Sequence, residues 1–427
     1  MNRGQRLMSQ GEAQRLHVLR MVLEKRLTLV EGAQRMGVCY RQAKRLLARL
    51  RREGPEGLIH GNRGRHPPNR LSEGQRQRIL SLAEEKYASF NDSHCCELLG
   101  REERIRVGRE TVRRLRREAG IAPKRRRRPR KHHRRRPRKA QAGAMMIWDG
   151  SPHAWFGSRA PACCLLPALD DATGAILAAR FLPTETSEGY LRILGLVLRR
   201  HGIPLSAYQD CHSALHRNDD LWSLEEELAG RRDPTQVGRV LEELGIQPIF
   251  AHSPQAKGRI ERFHLTAQDR WIPELERRGI SDLEPANALL DAELIPEFNR
   301  RFAQVPKEAE SAFRPLPRNL DLERVLSFQY QARVGNDNAV RLGGRIIDIP
   351  PGPHRRSYAL ASVEVRQLLD GSWRVYLENR LIAKTQPTAL REPIRTLRRR
   401  KNTIKPVRET LWVYPEIIQE GTFSLGS

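Results

Sequence analysis

Between residues 124 and 139 the chain reads KRRRRPRKHHRRRPRK, and this run limits what the rest can fold into. Like charges at such density repel and offer no apolar surface to bury, so the run cannot fold alone. An extended linker that becomes ordered on phosphates is expected. A nuclear-localisation signal is the formal alternative, although nothing else in the sequence suggests a eukaryotic cell. The run also divides the chain. Basic segments with helical spacing precede it, and from about residue 144 strand-like and helix-like segments alternate.

The charge balance extends the same reading to the whole molecule. Across 427 residues, 77 Lys and Arg stand against 50 Asp and Glu, a formal charge of +27. Such an excess points to a polyanionic partner, with nucleic acid the leading candidate and a membrane surface the rival. No run of about 18 apolar residues occurs, and the amino terminus lacks a signal-peptide core. A soluble, intracellular protein with no membrane partner is expected. The cysteines (Cys39, Cys95, Cys96, Cys163, Cys164 and Cys211) lack zinc-site spacing and read as reduced, mostly buried thiols.

Ahead of the run, residues 12–53 have the form helix, tight turn, helix: Leu29–Met36, Gly37-Val38, then Tyr40–Arg52. Ala33, Gly37, Ala43 and Leu46 fall where a helix-turn-helix needs a small contact, a turn glycine and core apolar residues. Arg41, Gln42, Lys44 and Arg45 would then face outward, suited to base edges and phosphates. An ordinary basic αα-hairpin is the plainer alternative. The loop GPEGLIHGNRGRHPPNR (54–70) holds Arg63 and Arg65, which could enter an AT-rich minor groove or belong to a simple linker. Residues 72–120 read as helical again and end in VGRETVRRLRREAG (107–120), with Thr111, Arg113, Arg114 and Arg117 outward. A second helix-turn-helix fits there, with weak support for its first helix from DSHCCELLG (92–100). The expected divisions are a helix-turn-helix DNA-binding domain over 1–54, a Gly/Pro/Arg linker over 55–71, a second helical DNA-binding unit over 72–122 and an Arg-rich linker over 123–141.

Behind the run the pattern is α/β. AMMIWDG (144–150) reads as a strand, and ACCLLPAL (162–169) with AILAARFL (175–182) as a hairpin around DDATG. A helix follows over 187–202, then a strand (205–210), a helix (235–245), a strand (247–251), a helix starting at Ser253 and another near 284–303. This element order is the ribonuclease-H-like one, expected over 142–306. Alternating segments over 307–387 suggest a small β-barrel, with a tight turn at Asp370-Gly371. A basic tail occupies 388–427. The fold class is therefore multidomain: helix-turn-helix units, an RNase-H-like α/β core and a C-terminal barrel.

Three acids stand at element ends: Asp149 on the first strand, Asp210 closing the fourth, and Glu261 two turns into the helix after the fifth. In such a sheet these positions converge near the carboxyl ends of the strands. Clustered carboxylates repel, and a divalent ion with a preference for hard oxygen ligands would relieve them. Each acid has a plainer reading. Asp210 alone could be a strand-end acid, and Glu261, flanked by Lys257, Arg259 and Arg262 within HSPQAKGRIERFH (252–264), could be ion-paired. Asp170-Asp171 reads as a turn, and Glu242-Glu243 as a solvated helix face. His212 could orient a scissile phosphate or be an idle loop histidine. Lys257 and Arg259 read best as phosphate contacts at the helix start.

WDGSPHAWF (148–156), DDATG (170–174), SEGY (187–190), YQDCHS (208–213), TQVGR (235–239) and HSPQAKGRIER (252–262) together resemble bacterial insertion-sequence transposases, nearest to the ISNCY type. LVEGAQRMGVCYRQAKRLL and GLIHGNRGR extend the likeness to the amino-terminal part. The resemblance implies a retroviral-integrase-like core in which Asp149, Asp210 and Glu261 form a DDE triad with two magnesium or manganese ions. It also implies a cytoplasmic, nucleoid-associated bacterial protein. Its partners would be the terminal inverted repeats and target DNA, bound by a dimer or higher oligomer. Two features depart from the family: Cys211 stands where a basic residue is usual, and 92–106 differs from the expected helix. A transposase that cleaves 3′ ends and transfers strands is thus set against a DNA-binding protein without catalysis.

Overall fold

The computed structural model describes residues 8–60, 62, 70–124, 136–218, 224–230, 232–251, 258–352 and 356–387. They fall into two compact units, Met1–Tyr87 with Glu110–Ile121, and Ala88–Arg109 with Ala122–Ser427. Arg63, Arg65, Lys257, most of the cationic run and the basic tail lie outside the described residues.

Among the described residues six α-helices precede residue 124: α1 (Gln10–Leu23), α2 (Leu29–Met36), α3 (Tyr40–Glu53), α4 (Glu73–Glu85), α5 (Asp92–Arg101) and α6 (Arg109–Glu118). In the first unit Thr28 caps α2 by a reciprocal exchange. Its hydroxyl accepts from the Glu31 amide at 3.3 Å, and Glu31 accepts from the Thr28 amide at 2.8 Å. Gly37 ends the helix at φ +66°, a left-handed conformation that needs no β-carbon, and this turns the chain into α3. Ala43, Leu46, Leu47 and Leu50 recur at helical spacing and are buried; the three leucines pack with Leu19 and Leu58. The tight turn and small contacts read from the sequence are therefore the ones that shape this unit.

The stretch expected as one helical unit over 72–122 divides instead. Helices α4 and α6 belong with the first unit, where Arg76 reaches Glu118 at 3.0 Å, whereas α5 belongs with the second. DSHCCELLG does form a helix, capped by Asn91, whose side chain accepts from the His94 amide at 2.8 Å.

The second unit runs β1 (Met146–Trp148), β2 (Ser151–His153), β3 (Cys163–Asp170), β4 (Ile176–Leu182), α7 (Ser187–His201), β5 (Ser206–Gln209), α8 (Leu224–Ala229), α9 (Gln236–Glu243) and β6 (Gln247–Phe250). Then come α10 (Gly258–Arg277), α11 (Leu283–Leu289), α12 (Ile295–Phe302) and α13 (Leu322–Val325). The strands β7 (Phe328–Arg333), β8 (Ala339–Leu342), β9 (Arg345–Asp348), β10 (Ser362–Gln367), β11 (Trp373–Leu377) and β12 (Arg380–Lys384) close the described chain. The main sheet is mixed. Its order is β2-β3-β1-β5-β6 with β4 on the other edge of β3; β1, β5 and β6 are parallel, and the rest pair antiparallel.

Both faces of this sheet are covered, which is why β3 and β4 read as unbroken apolar runs rather than alternating ones. Met146, Trp148, Leu166, Ala168 and Ala207 pack with Leu194 and Leu198 of α7 and with Val237 and Val240 of α9. Ile147, Leu165, Leu169 and Phe181 pack on the opposite side with Ile260, Phe263 and Trp271 of α10 and Phe298 of α12. Over 307–387 the described strands form a four-stranded antiparallel sheet, β12-β11-β10-β7, and a separate β8-β9 hairpin. No closed barrel forms among them. The sheet instead places Phe328, Val365 and Val375 in the same core as α7 and α9.

Helix α5 is tied to α10 and α12 by charge. Glu97 accepts from Arg270 at 2.9 Å, Arg101 meets Glu297 at 3.1 Å, and buried Glu274 lies 3.6 Å from His94 and 2.8 Å from Arg277. Burial opposes ionisation of Glu274, yet the hydrogen bonds from His94 and Arg277 prevail and bring its pKa down to about 2. A carboxylate depressed in the folded state adds stability above its unfolded pKa, and loses it as pH falls from about 4.5 towards 2. The difference in urea midpoint between wild type and Glu274→Gln should therefore narrow from pH 5 to pH 3. A constant difference would remove Glu274 from this role.

Candidate active site

Strands β1 and β2 lie along the same edge of β3 in one continuous register: Met146 to Trp148 pair with Asp170 to Ala168, and Ser151 to His153 with Leu165 to Cys163. Asp149 and Gly150 fill the break between them. In this register Asp149 falls opposite Pro167, which has no N–H to give to a ladder. The interruption leaves the Asp149 carboxylate half-buried at the end of β1. On its other side β1 runs parallel to β5, Ile147 against Tyr208. One residue beyond the shared ladder, the Trp148 indole N–H donates to Gln209 Oε1 at 3.0 Å. Asp149 and Asp210 therefore leave adjacent parallel strands side by side.

Asp210 is shaped locally by its loop, since its Oδ1 accepts from the His212 amide at 3.0 Å. His212 in turn places Nδ1 3.6 Å from Glu185 Oε1. Glu185 was not singled out from the sequence, where it reads as a polar residue in TETSE ahead of a helix. It lies just before Thr186, whose hydroxyl caps α7 by accepting from the Gly189 amide at 3.1 Å. The buried Tyr190 hydroxyl donates to Glu185 Oε1 at 2.5 Å. A β-carbon on Gly150 would meet the Glu185 carboxylate, so this glycine leaves the space that lets Glu185 lie beside Asp149.

Two neighbouring groups register these charges. Burial pushes the Tyr190 phenol well up, and the charges of Glu185, Asp210 and Asp149 push it further. Burial likewise pushes the Cys164 thiol up to about 12, with Glu185 and Asp149 adding to it. The site thus gathers Asp149, Asp210 and Glu185, with His212 and Tyr190 holding the last.

The third acid read from the sequence is placed differently. Glu261 is exposed on the first turn of α10. One turn on, the buried His264 brings Nε2 to 4.0 Å from Asp149 Oδ2, and Gln268 donates to Ser151 Oγ at 3.5 Å. Residues 261, 264 and 268 share a helical side, so Glu261 stands one turn before the contact with β1 and β2. Among the described residues no three His, Cys, Asp or Glu side chains reach the spacing that would hold a metal ion. In donor type the site suits one: its carboxylates are hard oxygen ligands, and the potential of three of them converges on one phenol.

The expected DNA contacts divide by partner. Arg41, Gln42, Lys44 and Arg45 are all exposed on α3. Arg113 and Arg114 are exposed on α6, but Arg113 is bonded to Glu110 at 3.0 Å and Arg114 lies 3.7 Å from Glu118. Arg259 is committed to Asp171 and to the Arg136 carbonyl. The DDATG acids are more than turn formers, because both are buried. Asp170 accepts from the Gly143 and Thr173 amides at 2.8 Å, and Asp171 from Arg136 at 2.6 Å and the Lys139 amide at 2.8 Å. The end of the cationic run is thereby ordered on a carboxylate of the protein itself.

Fold and site together define a multidomain protein, a helix-turn-helix region ahead of a mixed α/β core with two aspartates at adjacent strand ends. Residues 15–77 match the winged helix-turn helix family. The chain is 36% identical over 329 residues to the putative transposase y4bF of Sinorhizobium fredii, covering 77% of this chain and 70% of that protein. It is 33% identical over 355 residues to the transposase for insertion sequence IS1202 of Streptococcus pneumoniae, covering 74% of each. Among solved structures it is similar to a chain in the cryo-EM structure of the simian T-cell lymphotropic virus intasome in complex with PP2A regulatory subunit B56 gamma. That likeness has 12% identity and a TM-score of 0.30, over 73% of this chain and 100% of that one. On its two sequence relatives, the chain belongs to the insertion-sequence transposases.

The Glu185 arrangement has a consequence for stability. Tyr190→Phe removes the only donor on that ring from a carboxylate with little access to water, and should cost about 1.5–3 kcal/mol in urea unfolding. Glu185→Gln, which keeps an acceptor for the phenol, should cost less. Equal losses for the two would argue against the bond as the source.

Proposed function

We propose that this chain is the transposase of a mobile DNA element, binding the element's ends, cleaving them at their 3′ sides and joining them to target DNA. The observation that carries the reading is the adjacency of Asp149 and Asp210 at the ends of parallel strands, in a chain of this family. The mixed sheet, antiparallel at β4-β3-β1 and parallel at β1-β5-β6, is read as ribonuclease-H-like. Asp149, Asp210 and Glu261 would hold two divalent ions, magnesium or manganese. When bound, such ions activate a water or 3′-hydroxyl for in-line attack on phosphorus and stabilise the leaving oxygen.

The remaining work belongs to the protein's own groups. Glu185 and Tyr190 fix His212 beside Asp210, where its imidazole can orient a non-bridging phosphate oxygen. His264 packs α10 against Asp149, so Glu261 reaches the site only as far as the first turn of that helix allows. Helix α3 offers Arg41, Gln42, Lys44 and Arg45 to the major groove of an element end. Lys257 and the cationic run contribute phosphate contacts, and pairing two ends calls for at least a dimer. A second reading, DNA binding without catalysis, is favoured by the exposure of Glu261 and by Cys211 next to Asp210.

Strand transfer on element-end DNA with Mg²⁺ separates the two. Wild type should give joined product, and Asp149→Asn should reduce it by at least about a thousandfold while end binding changes less than about twofold. End binding by an otherwise folded wild type that yields no product would leave the binding-only reading. Affinity for DNA should also fall steeply with salt, by at least about a hundredfold between 50 and 200 mM. A flat dependence would deny the cationic run its role.

A further inference from the structure

Asp171 is a fully buried acid that the proposed reaction does not use. Its Oδ1 accepts from Arg136 Nη2 at 2.6 Å and from Arg259 Nη1, and its Oδ2 accepts from the Lys139 amide at 2.8 Å. Its backbone is held as well. The Asp171 amide donates to the Met145 carbonyl at 3.0 Å, at the entry to β1, and the Asp171 carbonyl accepts from Arg138 Nη1 at 2.9 Å. Arg259 closes the ring, since its Nη2 donates to the Arg136 carbonyl. Three segments distant in sequence thus meet on one carboxylate: the end of the cationic linker, the turn between β3 and β4, and the first turn of α10.

One guanidinium compensates a buried carboxylate, and Arg136 with the Lys139 amide already supplies that. The second guanidinium calls for a reason beyond charge, and its place on the helix gives one. Arg259 and Ile260 are consecutive on α10 and project about 100° apart around its axis. Ile260 is buried in the core with Phe263 and Trp271, while Arg259 reaches to Asp171. Two anchors on different sides fix the rotation of the first turn, and Glu261, the next residue, is carried to a set direction. A first turn needs such anchors, because its leading amides have no intrahelical acceptors and helix ends fray most readily.

We propose that Asp171 is a positioning residue for Glu261, acting through Arg259 to fix the first turn of α10, given the reading of Glu261 as a metal-holding acid of the active site. The same clasp seats the linker. The Arg136 guanidinium lies 5.4 Å from the ring centroid of Tyr208, on the strand that ends just before Asp210.

Arg259→Gln in the full-length chain tests this, because Asp171 then keeps Arg136 and the Lys139 amide and its charge stays compensated. Hydrogen exchange read by mass spectrometry follows amides 262–265, whose helical acceptors are the carbonyls of 258–261. They should exchange on the order of tenfold faster in the variant, with amides 268–272 unchanged. Asp171→Asn should loosen the same amides, and combining the two substitutions should add nothing, as befits one shared interaction. Strand transfer on element-end DNA should fall by about a hundredfold in Arg259→Gln, while end affinity changes less than about threefold. A phosphate contact at Arg259 would do the reverse, weakening binding and sparing the rate at saturating DNA, and that result overturns the proposal. Unchanged exchange at 262–265 in Arg259→Gln overturns it too, whether or not Asp171→Asn folds. If wild type joins no ends, the catalytic reading of Glu261 fails on its own, and the exchange comparison still decides whether Asp171 fixes the helix start.

Discussion

The catalytic reading depends on β3. All eight of its residues are buried, and it bonds β1 and β2 along one edge and β4 along the other. Its side chains supply both cores in alternation, Leu166 and Ala168 to one, Cys163, Leu165 and Leu169 to the other. A one-residue slip would exchange these sets and bury the wrong faces, so the register is strongly fixed. That register sets Pro167 opposite Asp149. Asp170, at the end of the strand, holds both Gly143 before β1 and Thr173 in the following turn. The first strand is thereby anchored at its entry and released at Asp149, where the proposed function calls for a carboxylate rather than a ladder bond.

Much of this was legible in the sequence, for physical reasons. Buried strands with both faces covered leave continuous apolar runs, and ACCLLPAL and AILAARFL gave β3 and β4 nearly to the residue. Asp149 and Asp210 stood out because each closes a segment that reads as a strand, AMMIW before the first and LSAYQ before the second. Helix α3 could be read because Ala43, Leu46, Leu47 and Leu50 keep helical spacing among cations. Features that depend on distant partners could not be read in the same way. Ser151–His153 has little strand character of its own and pairs because it continues the register of β1. Glu185 looks like one more polar residue before a helix, and its place follows from Gly150, Tyr190 and His212 meeting around it. The sheet at the carboxyl end alternates as a barrel would, but its apolar face is taken up by α7 and α9.

The split of residues 72–122 has the same kind of origin. In sequence α5 is a short helix between two basic ones, and local pattern groups the three. Glu97 and Arg101 instead find Arg270, Arg301 and Glu297, and His94 finds Glu274. Exposed pairs of this type contribute little one at a time, whereas a partly buried network around a buried carboxylate is costly to break. Long-range charge decided the grouping that local pattern left open.

The same distinction governs where a polyanion can bind. The formal charge of +27 counts every arginine alike, but the fold does not. Arg101, Arg270, Arg277, Arg278 and Arg301 pair with Glu97, Glu102, Glu274, Glu293 and Glu297 around α10 and α12. Arg136 and Arg259 converge on buried Asp171, and a shared internal carboxylate weakens their attraction for DNA. On α3, by contrast, Arg41, Lys44 and Arg45 are exposed around an apolar inner face. The positive potential available to a duplex is therefore set by which cations lack internal carboxylates, and α3 is where the described fold concentrates them.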